Sequence, residues 1–279
     1  MSDATAPAAP DTPAPNATAT PAGVAPAPRL GDPFVEYLLR HGDDRLVLGH
    51  RLSEWAGHAP ILEEDIALGN VALDLIGQAA ALLGLAGEAE GKGRDADALA
   101  YFREVVDFRN ALLCELPRGD FAVTMVRQFL FDAYDVLLTE RLQASAHAEL
   151  AGAMAKAHKE ARYHVRHSGD WVVRLGDGTA ESHARAQAAL DLVWRYAPEL
   201  FVPDAVDAEM LARGIGADLD ALRPEWERSV REVLAEATLT VPAGGFAARG
   251  GRHGRHTEHL GHMLAEMQIV ARSHPGASW

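Results

Sequence analysis

DFAVTMVRQFLFDAYDVLLTERLQAS, residues 120–145, contains neither proline nor glycine. Phe121, Met125, Phe129 and Val136 recur in it at helical spacing. Phe129-Leu130-Phe131 and Val136-Leu137-Leu138 put apolar side chains on nearly every side, the pattern of a central bundle helix. Outward from this stretch the prolines stay sparse. The intervals 61–116 and 118–197 hold none, and a helix interior excludes proline. Leu62, Ile66, Leu73 and Ile76 repeat the helical period in the first interval. The pattern predicts helices over 33–41, 43–58, 61–88, 95–115, 120–145, 147–175, 179–197, 205–213, 224–236 and 256–272. Thr238-Leu239-Thr240-Val241 is the single strand-like run, and Pro242 ends it. Helices of about 25 residues span nearly 40 Å, the scale of a four-helix bundle. The fold class is therefore all-α, with no internal repeat at a fixed period.

Composition bounds the rest. The 279 residues carry 26 Lys+Arg against 40 Asp+Glu, a formal net charge of −14. Such a chain repels phosphate backbones, which argues against nucleic-acid binding. The lone Cys114 cannot form an internal disulfide and reads as a buried apolar thiol. No run of about 18 uncharged apolar residues predicts a membrane span, and a cytoplasmic location is expected. Residues 1–30 hold 10 Ala and 7 Pro. With so few large apolar side chains they read as a disordered tail. Asp3 near the start and the lack of a leucine-rich segment argue against a secretory signal. The folded domain is expected over 31–279.

A large helical bundle with many carboxylates raises the question of a di-iron site. That site needs a Glu from each of two helices and a Glu-x-x-His from each of two others. No Asp or Glu in this chain has His three residues downstream. Asp74 is followed by Gly77, which offers no ligand atom, and Glu160 by Tyr163. Three Glu–His pairs at i,i+4 remain: Glu54–His58, Glu160–His164 and Glu258–His262. Each reads as a metal half-site or as an ordinary charge-assisted hydrogen bond. His253, His256, His259 and His262 recur every three residues, but the segment from His256 to His259 is one residue short of the His-x-x-Glu-His zinc pattern. Gly84, Gly87, Gly91 and Gly93 do not form a phosphate loop, and no Gly-x-Ser-x-Gly elbow occurs. The dense run from Lys159 to His167 could face inward or outward. Arg249-Gly250-Gly251-Arg252-His253-Gly254-Arg255-His256 is a basic, glycine-rich loop leading into a helix, suited to a phosphate or to a partner's acidic patch.

Several longer segments carry a family resemblance. They are Gly49-His50-Arg51-Leu52-Ser53-Glu54-Trp55, Gly57-His58-Ala59-Pro60, Glu63 to Leu68, Asp74-Leu75-Ile76-Gly77-Gln78 and Glu90 to Arg94. Further ones are Arg127 to Asp132, His164 to Ser168 with Trp171, Arg174 to Thr179, Glu236 to Pro242, Gly254 to Gly261 and Pro275 to Trp279. On these the chain resembles the PaaC-type family, the non-catalytic subunits of bacterial 1,2-phenylacetyl-CoA epoxidase, over residues 31–279. The resemblance implies a ferritin-like bundle with additional helices. It implies a structural, non-catalytic subunit acting in aerobic phenylacetate catabolism beside a catalytic subunit whose di-iron centre uses O₂. It also implies a reductase partner with FAD and an iron–sulfur cluster, fed by NADPH. No cofactor and no catalytic residue are then expected in this chain.

Two other readings compete. One is a di-metal oxygenase with an atypical ligand set of Glu54, Asp132, Glu160 and His164; the other is an acyl-CoA-presenting module. The vestigial-site candidates are Glu54, Asp74, Asp132, Glu160 and His164. Inward carboxylates among them need a cationic or hydrogen-bonding neighbour: His50 and His58 for Glu54, Gln128 for Asp132, Lys156 and His164 for Glu160. Arg249, Arg252, His253 and Arg255 are the candidates for contact with CoA phosphates or a partner.

Overall fold

The computed structural model describes Met1 and residues 31–277. The expected disordered tail therefore lies outside the described residues. The described residues form ten α-helices and three 3₁₀ segments, with no strand among them. The helices are α1 (Pro33–Ser53), α2 (Leu62–Glu90), α3 (Ala96–Tyr101), α4 (Leu112–Glu115) and α5 (Phe121–Leu142). They continue with α6 (Ala148–Gly176), α7 (Ala180–Val193), α8 (Ala205–Ala212), α9 (Leu219–Glu236) and α10 (Glu258–Ser273).

The four long helices α1, α2, α5 and α6 form a bundle. Residues 54–61 join α1 to α2 and residues 143–147 join α5 to α6, so each pair is a tight hairpin. The long segment 91–120, bearing α3 and α4, carries the chain from one hairpin to the other. Two hairpins with one long crossover is the ferritin-like arrangement. Smaller helices pack around it: α8 against α1, α7 and α9 against α5 and α6, and α10 against α3.

Local chemistry sets the ends. Asp32 accepts from Phe34 N at 2.8 Å with Pro33 at the first helical position, and Asp120 accepts from Val123 N at 2.9 Å. Both satisfy amides that a helix start leaves unpaired. Gly91, at φ 67°, ends α2 in the left-handed region that glycine enters freely. The core between the helices is built from Leu38, Leu48, Leu75, Leu82, Phe129 and Leu130, all buried.

Four local expectations change. The stretches 33–41 and 43–58 are one helix that ends at Ser53; Gly42 is no break but a close contact, since a Cβ there would lie 2.9 Å from Leu83 Cδ2. The expected helix over 95–115 opens between α3 and α4. There Arg109 N donates to Asp43 Oδ2 (2.8 Å), Ala111 N to Asp44 Oδ1 (2.7 Å) and Leu112 N to Glu199 Oε2 (2.7 Å), so distant carboxylates take amides a helix would have used. The helix at 224–236 begins five residues earlier, because Asp218 caps it through Ala221 N (3.1 Å). Residues 238–241 form no strand: Thr238 has a φ of 57° and Leu239 N returns to Leu234 O at 2.9 Å. By length and composition alone α2 is apolar enough to cross a membrane, a profile that a bundle's core helix shares, and Asp74 interrupts the run, so no uncharged stretch of about 18 residues occurs in it. Asp74 is its only charge between Ile66 and Gly87.

Candidate functional site

Asp43-Asp44-Arg45 stands in the middle of α1, and all three side chains are buried. Three adjacent charges survive there because each has a partner on a different element. Asp43 pairs with Arg103 in the crossover. Asp44 pairs with Arg252 (2.8 Å). Arg45 turns into the bundle, where it pairs with Asp135 of α5, donates from Nε to Gln78 Oε1 of α2 (2.9 Å) and from Nη1 to His41 O (2.9 Å). Gln78 Nε2 then donates to Glu160 Oε2 of α6 at 2.9 Å. One guanidinium and one amide thus tie the four long helices together.

Around this axis lie more paired polar groups. Asp132 accepts from Gln128 Nε2 (2.7 Å) and from Ser168 Oγ of α6 (2.8 Å). Burial pushes the Asp132 carboxyl up to about 7, against the opposing pull of His164, Ser168 and Gln128. Burial also raises the Asp135 carboxyl, with Arg45 pulling it back down. His164 Nε2 sits 3.1 Å from Asp74 Oδ2, and His167 Nε2 sits 3.0 Å from Glu64 Oε2. These two pairs stitch α6 to α2. Tyr163 stacks on the His167 ring at 6.0 Å and reaches solvent.

Of the candidate residues, Asp74, Asp132, Glu160 and His164 are gathered on α2, α5 and α6. Glu54 is not: it lies just past the end of α1 and is held by Arg51 Nη1 at 2.6 Å. Gln128 pairs with Asp132 as its spacing requires. Lys156 approaches Glu160 at 3.8 Å, but the direct hydrogen bond to Glu160 comes from Gln78. His50 and His58 make no bond to the Glu54 side chain; burial lowers the His50 imidazole instead. Arg45, Gln78 and Asp135 are not among the expected site residues. The sequence marks them only indirectly: Asp43-Asp44-Arg45 is one of several charged groups along α1, beside Glu36, Arg40 and Arg51, and Asp135 follows Asp132 by one turn.

This donor set does not fit a di-iron centre. At the polar centre α1 contributes the cation Arg45 and α2 the neutral amide of Gln78, while the carboxylate of Asp74 on α2 is taken up by His164 at the edge of the bundle. Among the described residues no three His, Cys, Asp or Glu side chains converge as a metal site. Arg45 supplies the positive charge that buried Asp135 requires.

The basic loop is turned largely inward. Gly250 N and Gly251 N donate to Glu199 Oε1 at 2.6 and 2.9 Å, so its amides already cradle a carboxylate of this chain. Arg252 grips Asp44 and donates to Arg40 O (3.1 Å) and Arg109 O (2.9 Å), with 12% of its side chain exposed. Burial would lower the Arg252 guanidinium pKa, but the nearby carboxylate of Asp44 raises it. Arg249, His253 and Arg255 remain exposed. His256 is held inside by Glu115 Oε2 (2.7 Å) and Phe108 O (3.0 Å).

A bundle with the connectivity of a di-iron protein and an arginine ion pair at its polar centre defines a class of ferritin-like chains whose interior is braced by salt bridges. The chain belongs to the phenylacetic acid catabolic protein family, whose model matches residues 22–279. It is 49% identical over 243 residues to a protein of Escherichia coli (strain K12) named as a subunit of 1,2-phenylacetyl-CoA epoxidase, a match covering 87% of this chain and 98% of that relative.

Proposed function

We propose that this chain is the structural, non-catalytic subunit of a multicomponent phenylacetyl-CoA epoxidase, supporting a separate di-iron catalytic subunit. The observation that carries the reading is Arg45. Its guanidinium occupies the polar centre of the bundle and is bonded to Asp135 and Gln78. A metal cation brought to the same place would meet a fixed like charge. In this reading the bundle keeps a polar interior as a rigid brace between its helices, and O₂ activation, FAD and iron–sulfur chemistry belong to partner subunits. The chain itself holds no cofactor.

The atypical di-metal alternative needs Glu54 beside Asp132, Glu160 and His164, and Glu54 is committed to Arg51 beyond the end of α1. The acyl-CoA-presenting alternative loses the loop amides to Glu199 and most of Arg252 to Asp44, leaving Arg249, His253 and Arg255. Iron analysis of the purified chain, grown in iron-rich medium, tests the proposal. Well under one iron per chain is expected, together with epoxidation only when the catalytic and reductase components are added. Two irons per chain, or turnover without the catalytic component, would overturn it.

A further inference from the structure

Resting on the subunit role proposed above, we infer that the outward face of α2 is the docking surface for a helix of the catalytic subunit. Leu62, Ile66 and Leu73 point to solvent with 70%, 56% and 68% of their surface exposed. Between them and beyond, the same face continues with Gly77, Ala80 and Gly84. A surface helix ordinarily carries charges there; this one carries only Asp74 at its margin between Ile66 and Gly87.

The glycines are a second, separate sign. A Cβ at Gly69, Gly77 or Gly84 would meet nothing within 4 Å in this chain. Glycine weakens a helix interior, so three of them with open space above have no use inside the fold. Their use is close approach by another backbone. From Leu62 to Gly84 the stripe runs about 33 Å, long enough for an interface of standard size, about 800 Å² per partner.

The rim identifies the occupant. On the neighbouring helix α6, exposed Tyr163 borders α2 by stacking on His167, which holds Glu64 of α2, and exposed Lys159, Arg162 and Arg166 line one surface depression with Tyr163. Among the described residues, none of these three cations has a carboxylate within salt-bridge reach, in a chain with 40 acidic residues. An apolar seam beside Tyr and unpaired Arg is the make-up of a protein interface. The partner surface is therefore an apolar helix with an acidic rim.

The test is co-expression of the full chain with the catalytic subunit, followed by size-exclusion chromatography and titration. Ile66→Asp/Leu73→Asp should weaken association at least 100-fold while the isolated chain keeps its melting temperature. Gly77→Leu should also weaken association yet leave the isolated chain as stable or more so, which separates docking from folding. Ile269→Asp, on exposed α10, should leave association intact. Full association of both α2 variants overturns the surface while the subunit role stands. Failure of the wild-type pair to associate overturns the subunit role and this occupant with it. Wild-type binding to phosphatidylglycerol vesicles that Leu73→Asp abolishes would assign the face to lipid and overturn the proposal. So would a wild-type homodimer that the same variant turns monomeric.

Discussion

α1 and α2 lie side by side and invert the usual rule. α1 buries Asp43, Asp44 and Arg45 and leaves almost no residue exposed, whereas α2 shows Leu62, Ile66 and Leu73 to solvent. The two deviations have different physical origins. A buried charge is stable only with partners in place, so α1 is bound to its neighbours by specific geometry: Arg103, Arg109, Arg252, Asp135 and Gln78 all converge on it. An exposed leucine needs no partner to keep the chain folded. Charge inside therefore reports on this fold, and apolar surface outside reports on what the fold meets.

The largest expected effect tests the inside half of that contrast. Arg45→Ala strands Asp135 in the core and should cost about 3–5 kcal/mol in urea unfolding. Replacing both partners together, Arg45→Met with Asp135→Leu, should recover most of the loss, because the desolvation cost disappears with the charges. If Arg45→Ala costs less than about 1 kcal/mol, the polar axis is not what braces the bundle.

Next is a pH effect. Burial raises Asp132 to about 7 from an ordinary 3.8, so the folded chain holds this proton more tightly than the unfolded chain. Its contribution is fully present below pH 3.8 and is lost as pH rises through about 7, a span worth on the order of 4 kcal/mol. Asp132→Asn keeps a carbonyl for Gln128 and an amide to donate to Ser168 Oγ. Relative to wild type, the Asn variant should therefore gain stability steadily from pH 4 to pH 7 and level off above it. A constant difference across that range would show that Asp132 stays ionised in the fold.

Much of this architecture is legible in the residues alone, and the failures share a cause. Helical period and proline-free intervals place α2, α5 and α6, because such signals are local, whereas α1 reads as two helices because the close packing of Gly42 on Leu83 is a contact across the fold. The opening of 95–115 is hidden because the groups that open it, Asp43, Asp44 and Glu199, lie far away in sequence. Arg252 and the glycine amides look available in sequence for the same reason: Asp44 and Glu199 are their partners only in three dimensions. The missing Glu-x-x-His is legible, but the place of Arg45 at the polar centre of the bundle is not. An Arg in a helix as rich in charge as α1 looks like many surface arginines until Asp135 and Gln78 are seen beside it.

The smallest expected effect tests the outside half, on one helix two residues apart. Leu75 is fully buried against α1, so Leu75→Ala should cost about 2–5 kcal/mol through lost contacts and a cavity. Leu73 faces solvent, so Leu73→Gln should change the stability of the isolated chain by no more than about 0.5 kcal/mol. Both variants are measured by urea unfolding of the same full-length chain, which removes differences in the unfolded reference. Equal losses at the two sites would mean that Leu73 is packed within this chain and that its side of α2 has no interior-versus-exterior contrast to explain. A neutral Leu73→Gln leaves that leucine without a role in folding, and its apolar side chain then has to be accounted for by what binds there.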